Sequence, residues 1–277
     1  MASTTHPITE LERVVVAYPC GNTAAVIFDE IHEDDYKDLN DRILATWSAQ
    51  QPTAPKIEQC CLVTKPQDAR AVTRVEMLGG EFSANAVRCV ALIVAGDKSK
   101  GLIEASGAPR PLEYQVKDGV VTLEIPLPEN KPLVRKTDDG ALVQLDGITQ
   151  LVVTDPMLQV SHTPREVLTK LLRENKFSVT AQPCVGATYY DEASHKSEFC
   201  VWIKDVETIF DQSSSGSGTS AIGIALAMKS GKSVKIKVVQ PSGQVMTTEA
   251  KFVPKHIVRS SISGKITILY DGKLKLL

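Results

Sequence analysis

Two stretches of this chain are apolar nearly all round. The first is Val87-Arg88-Cys89-Val90-Ala91-Leu92-Ile93-Val94-Ala95, and the second is Ala221-Ile222-Gly223-Ile224-Ala225-Leu226-Ala227-Met228. A surface helix of a globular protein is apolar on one stripe; a helix apolar on all sides must be buried. Crossing a bilayer takes roughly 18 to 20 such residues, so these stretches are too short for a membrane. The arrangement that satisfies both limits is a central helix wrapped by a curved sheet. Each stretch follows a Gly/Ser-rich turn, Gly79-Gly80-Glu81-Phe82-Ser83-Ala84-Asn85-Ala86 and Ser213-Ser214-Ser215-Gly216-Ser217-Gly218-Thr219-Ser220. Ser83 and Ser215 stand 132 positions apart, close to half of the 277 residues. A duplicated half-domain follows from that spacing. Two unrelated βα units in one mixed sheet are the plain alternative.

The elements around the turns repeat in order. In the first half, Val14–Tyr18 and Thr23–Phe28 read as a hairpin. Asp34–Ser48 reads as a helix, with Tyr36, Leu39, Ile43, Leu44 and Trp47 on one face. Ile57–Val63 and Val72–Leu78 read as strands leading into the first turn. In the second half, Gln150–Thr154 is a strand and Pro164–Asn175 a helix capped by Thr163. Val185–Tyr190 and Phe199–Ile203 are strands leading into the second turn. Hairpin-rich sequence closes each half, Glu113–Ile125 with Asp118-Gly119 at its turn and Ser233–Phe252 with Ser242-Gly243. The expected fold is α+β. It has two pseudo-symmetric half-domains, each a curved and mostly antiparallel sheet around a central buried helix. The halves are expected at 1–135 and 136–263, with a boundary near 128–148 where Pro126, Pro128 and Pro132 interrupt the pattern. The segment 264–277 is expected to cross back to the first half.

Charge narrows the function classes. The 31 basic and 33 acidic residues are well mixed and leave a formal net charge of −2. No basic stripe argues for nucleic acid or a membrane surface. The polar stretch Met1–Glu10 does not read as a secretory signal. Six cysteines in a chain of this length do not form a disulfide framework. The natural expectation is a reduced, cytoplasmic protein. The histidines at 6, 32, 162, 195 and 256 share no metal-ligand spacing, so no metal is expected. Cys89, Cys184 and Cys200 read as core or strand residues, and Asp191–Glu198 as a solvated hairpin tip.

The turns carry the chemistry. A helix N-terminus presents free N–H groups and a partial positive charge, and Gly and Ser let an anion approach closely. Gly216-Ser217-Gly218-Thr219 suits a carboxylate or phosphate. It lacks the Lys of a Walker loop and the glycine spacing of a dinucleotide fingerprint. Two such turns facing each other would hold one small anion.

These turns resemble those of the diaminopimelate epimerase superfamily of pyridoxal-independent isomerases, and most of all its histidine racemase branch. Pro19-Cys20-Gly21-Asn22, Ile57-Glu58-Gln59, Gly80–Ala86, Ser214–Thr219 and Gln240-Pro241-Ser242-Gly243 echo that branch in its own order. The resemblance implies a small amino acid or related carboxylate between the halves, without a cofactor, and it allows a homodimer. It assigns Ser83 and Ser215 to the positions of two catalytic thiols. Asn22, Ala84, Asn85, Ala86, Gln150, Gly216, Ser217, Gly218 and Thr219 then surround the substrate. Asn22 and Asn85 could equally serve their own turns, and Thr219 could simply cap a helix.

The departures from the family matter as much. A thiol at a helix N-terminus has a depressed pKa and can pass a proton. A serine hydroxyl is too weak an acid to rest as an alkoxide without an adjacent base. Ala84 also replaces the usual glycine. Three readings stay open: serines engineered in to trap a ligand, another acid/base, or a binding protein without catalysis. Glu58 is the candidate acid/base, because the phenazine-biosynthesis branch carries its catalytic glutamate at the similar place. A carboxyl buried beside an apolar strand would suit that work. A partly solvated strand-end glutamate is the plainer reading of Glu58. Asp211 is a weaker partner.

Overall fold

The computed structural model describes residues 8–78, 80–96, 99–129, 133–174, 183–204, 207–254 and 256–277. His6, Gly79, Pro132 and Asn175, which figured in the sequence reading, lie outside the described residues. The first half runs β1 (Glu10–Tyr18), β2 (Thr23–Ile27), α1 (Tyr36–Gln50), β3 (Ile57–Thr64), β4 (Ala71–Met77), α2 (Ala84–Ala95), β5 (Lys100–Ala105), β6 (Leu112–Lys117) and β7 (Val120–Ile125). The second runs β8 (Val134–Lys136), β9 (Ala141–Leu145), β10 (Ile148–Val153), α3 (Pro156–Ser161), α4 (Pro164–Arg173), β11 (Cys184–Tyr190), β12 (Ser197–Ile203), β13 (Thr208–Gln212) and α5 (Gly216–Ser230). It closes with β14 (Val234–Val239), β15 (Val245–Val253), β16 (His256–Lys265) and β17 (Thr267–Lys275).

Each apolar stretch is the buried helix that its composition demands. α2 packs against β2 to β7, and α5 against β8 to β11 and β14 to β16. Val87, Cys89, Val90 and Ala91 of α2 and Ala221, Ile222, Ile224 and Ala227 of α5 are fully buried. Burying each larger aliphatic side chain contributes about 1.5–3 kcal/mol. One apolar cluster encloses both helices. The amphipathic helices cover the outer faces of the sheets. Leu39, Ile43 and Trp47 of α1 pack on Val14, Val16 and Leu62, while Val167, Leu168 and Leu171 of α4 pack on Leu151, Val185 and Ala187. α4 starts in a capping box between Thr163 and Glu166, which is why its boundary could be read.

The sheets are less separate than the duplication suggests. Eleven strands form one sheet in the order β14-β15-β16-β7-β6-β5-β4-β3-β2-β1-β17, and six form a second, β13-β12-β11-β10-β9-β8. β16 pairs antiparallel with β7 from Ser260↔Ile125 to Lys265↔Val120, so the large sheet passes from one half into the other. β17 pairs antiparallel with β1. Within the stretch 128–148, where the boundary is expected, lie β8 and β9, and β9 pairs with β10. Asp118 and Gly119 both take positive φ, 53° and 72°, as the β6–β7 hairpin turn requires. Among the described residues no helix is long and apolar enough to cross a membrane, and no group of His, Cys, Asp or Glu is placed to hold a metal ion.

Candidate functional site

The two Gly/Ser turns meet. Ser83 is the N-cap of α2, its Oγ accepting from Ala86 N at 3.3 Å, and Ser215 caps α5, accepting from Gly218 N at 3.2 Å. A methyl group placed on Gly216 would come within 2.9 Å of Ala84 Cβ, 3.0 Å of Ile262 Cδ1 and 3.5 Å of Asn85 Oδ1. Two positive helix ends therefore abut with no room between their first residues.

A cavity of about 380 Å³ opens at this junction. It is lined by Ser83, Ala84 and Asn85 from one end and Ser215, Gly216 and Ser217 from the other. Asn22, Glu58, Gln59 and Glu81 come from the first half; Asp211 and Gln212 come from β13. Leu44, Phe82, Ile148, Val201, Ile203 and Phe210 form an apolar wall.

Eight of the twelve residues singled out from the sequence line this cavity: Asn22, Glu58, Ser83, Ala84, Asn85, Ser215, Gly216 and Ser217. The other four stand behind it. Ala86 and Gly218 give their N–H groups to the capping serines. Thr219 is fully buried and exchanges hydrogen bonds with Gln240, whose Oε1 also accepts from Ser215 N at 3.1 Å. Gln150 donates from Nε2 to Ser217 Oγ at 3.0 Å and accepts from Thr188 Oγ1 at 3.0 Å.

The asparagines tie the halves together. Asn22 donates from Nδ2 to Ser214 O at 3.2 Å, and Asn85 Nδ2 reaches the same oxygen at 3.5 Å. Asn22 N also donates to Ser213 Oγ at 2.7 Å. The turn that carries Asn22 is tightly wound, with Cys20, Gly21 and Asn22 at φ of 70°, 107° and 50°. A side chain on Gly21 would strike Ser213 O and Ser214 Cβ, each at 2.8 Å. Only glycine fits that φ and that contact.

Among the described residues no base is hydrogen-bonded to either serine hydroxyl. Ser83 Oγ donates to Gln59 Oε1 at 2.6 Å, and the amide is fixed in that sense because Gln59 Nε2 donates to Asn22 O at 3.0 Å. A neutral amide oxygen orients the hydroxyl but does not take its proton. Ser215 Oγ lies 3.4 Å from Ser217 Oγ.

Glu58 is exposed, so the burial expected for it is absent; its strand end leaves the carboxylate in solvent at the cavity mouth. Its Oε1 accepts from Ser213 Oγ across the halves. Asp211 pairs with Arg165 at 2.8 Å. Cys89 is core, as expected, and burial pushes its thiol up to about 12. Burial also raises the Cys60 and Cys61 thiols.

Sequence reasoning missed the tasks of Gln59, Cys184 and β13. Gln59 lay in the quoted Ile57-Glu58-Gln59 segment, which was the available signal. Cys184, taken as a plain strand residue, lines the cavity from the first position of β11.

A family model described as the histidine racemase CntK N-terminal domain matches residues 13–274. A histidine racemase of Fusobacterium nucleatum subsp. nucleatum is 25% identical over 217 residues, covering 72% of this chain and 77% of the relative. A crystal structure of a hydroxyproline epimerase from Agrobacterium vitis, with bound trans-4-hydroxy-L-proline, superposes with a TM-score of 0.63. It is 15% identical and covers 99% of this chain and 94% of its own. A phenazine biosynthesis protein of the PhzF family from Enterococcus faecalis has a TM-score of 0.57 at 13% identity, covering 95% of this chain and 98% of its own. At those identities the two structures speak for the fold alone.

Proposed function

The chain belongs to the family described as the histidine racemase CntK N-terminal domain, amino-acid racemases that work without pyridoxal phosphate, and from that premise we propose that its cleft moves the proton on the α-carbon of a small amino acid. The observation that carries the reading is the junction of α2 and α5. Two capped helix ends share one cavity of amino-acid size, and their free N–H groups suit a carboxylate. A carboxylate seated there brings the α-carbon between Ser83 and Ser215. The acidic groups at the cavity wall, Glu58, Glu81 and Asp211, suit an ammonium or a cationic side chain. Histidine is the first substrate to test, because the Fusobacterium relative is a histidine racemase.

The serines hold hydrogen bonds at the two proton-transfer positions, yet neither can remove a Cα proton unaided. In this serine form Glu58 is the proposed proton acceptor. It stands in the cleft and is held across the halves by Ser213. The same carboxylate also supports a second reading, a proton shift that rearranges the substrate.

Incubation with L-histidine in deuterium oxide tests both. The expected result is slow entry of deuterium at Cα with appearance of D-histidine. Glu58→Gln is expected to lower that rate by about 10²-fold, the usual scale of general acid–base catalysis. Deuterium elsewhere with a rearranged product would favour the second reading. Binding without exchange would leave a ligand-binding protein and overturn the proposed catalysis.

A further inference from the structure

Arg88 has no evident place in the core. It lies on α2, five residues past the cap, and is 0% exposed. Nη1 donates to Asn85 Oδ1 at 3.2 Å and to Met246 Sδ at 3.0 Å. Among the described residues Nε and Nη2 have no oxygen or nitrogen partner, and Cys20 is the polar group beside them. Among the described residues no carboxylate pairs with it; its polar neighbours are Cys20 and Cys89. Burial pushes the guanidinium below its ordinary pKa, and the two cysteines oppose that. An arginine keeps its proton in such a setting.

An unpaired buried charge is costly, and a well-packed apolar side chain in its place is commonly as stable or more so. Stability therefore does not account for Arg88, whereas its position relative to the cleft does. The oxygen it holds, Asn85 Oδ1, is the atom that sits 3.5 Å from the Cβ position of Gly216. Arg88 thus lies directly beneath the point where the ends of α2 and α5 abut. On the second helix the equivalent position, 132 residues on, is Ser220, whose hydroxyl donates to Gly216 O within its own helix. Of these two equivalent helix positions only 88 carries a charge.

We propose that Arg88 is a positioning residue for the substrate carboxylate: it fixes Asn85 and adds a permanent buried positive charge beneath the junction of α2 and α5. The two helix ends supply half-charges and donors, and Arg88 supplies the whole charge that makes the seat anion-selective. The identity of the substrate rests on the function proposed above, but the anion seat can be read without it.

Acetate, a bare carboxylate, is the primary probe. Titrated into the protein, it is expected to shift the backbone amide resonances of Ala84, Asn85, Gly216 and Ser217. In Arg88→Met the acetate affinity is expected to fall at least tenfold, about 1.4 kcal/mol, with Arg88→Lys retaining most of it. Arg88→Gln, which removes the charge but keeps a polar group beside Asn85, is expected to lose acetate to the same degree. This variant decides the matter if Arg88→Met does not fold.

L-Histidine and histamine, which lacks the carboxylate, provide a second comparison. Only the former is expected to weaken in the variants, a selectivity that a merely structural Arg88 would not produce. Acetate binding within twofold of wild type in Arg88→Met or Arg88→Gln, or no acetate binding at the junction in wild type, overturns the inference. Acetate bound at the junction while L-histidine is refused leaves the inference standing and removes histidine as the substrate.

Discussion

Replacing Ser83 and Ser215 together with cysteine is expected to raise exchange of the Cα proton of histidine by about 10²- to 10⁴-fold, the range of general acid–base catalysis. Both positions are N-caps, where the partial positive charge of the helix favours a thiolate. Both line the same cavity. Among the described residues no base is bonded to either serine hydroxyl, so this substitution supplies thiols that can pass the proton themselves. Glu58→Gln in that background is expected to change the gained rate little, since the thiols no longer need the carboxylate. The check is loss of the Cα–H resonance in deuterium oxide together with a chiral assay. Each single cysteine should wash deuterium in more slowly than the pair. A double variant that is folded, binds histidine and exchanges no faster than the serine form would show that 83 and 215 are not the proton-transfer positions.

Gly216→Val is expected to damage the site severely. Its Cβ alone would meet Ala84 Cβ at 2.9 Å and Ile262 Cδ1 at 3.0 Å, and the valine methyls add further crowding. Overpacking of this kind costs about 1–3 kcal/mol. Separating the two helix ends would also carry Ser83 and Ser215 out of register. The measurement is the urea midpoint of the variant, and the proton exchange of the double-cysteine form with and without it. An unchanged midpoint with unchanged exchange would mean that the close approach of the ends is irrelevant.

Much of this arrangement was legible because it follows from burial. Apolar residues on every side of Val87–Ala95 and Ala221–Met228 can be satisfied only inside a sheet, and α2 and α5 are there. The serines that begin them announce themselves by position, and the structure makes both into caps. What escaped is short, polar or non-local. β13 is five residues with three exposed, so it lacks the alternation that marks a half-buried strand. α3 is six residues with none buried. β16 carries serines at 260, 261 and 263 and pairs with a strand some 140 residues earlier, which no local pattern encodes. Within the site, Glu58 was placed in the cleft by motif, but its exposure depends on how strand β3 ends. Arg88 stands as one charge in an apolar run, and that incongruity is the sequence signal for it.

The ladder between β7 and β16 has a mechanical consequence. Enzymes whose lobes are joined by slender linkers can swing open like a book. Here the spine is bonded: β16 is laced to β7, and the chain then runs directly into β17, which is laced to β1. Rotating the halves apart would have to tear a continuous sheet. The free edge of the cleft is β13, which among the described residues pairs only with β12 and lines the cavity with Phe210, 44% exposed, Asp211 and Gln212; entry is expected there. Amide hydrogen exchange should read this directly, with Thr208–Gln212 exchanging far faster than Val120–Ile125. Comparable protection of the two strands would mean that the covers move and the spine does not hold. On this architecture the site breathes at its free edge, like a pocket with one loose seam.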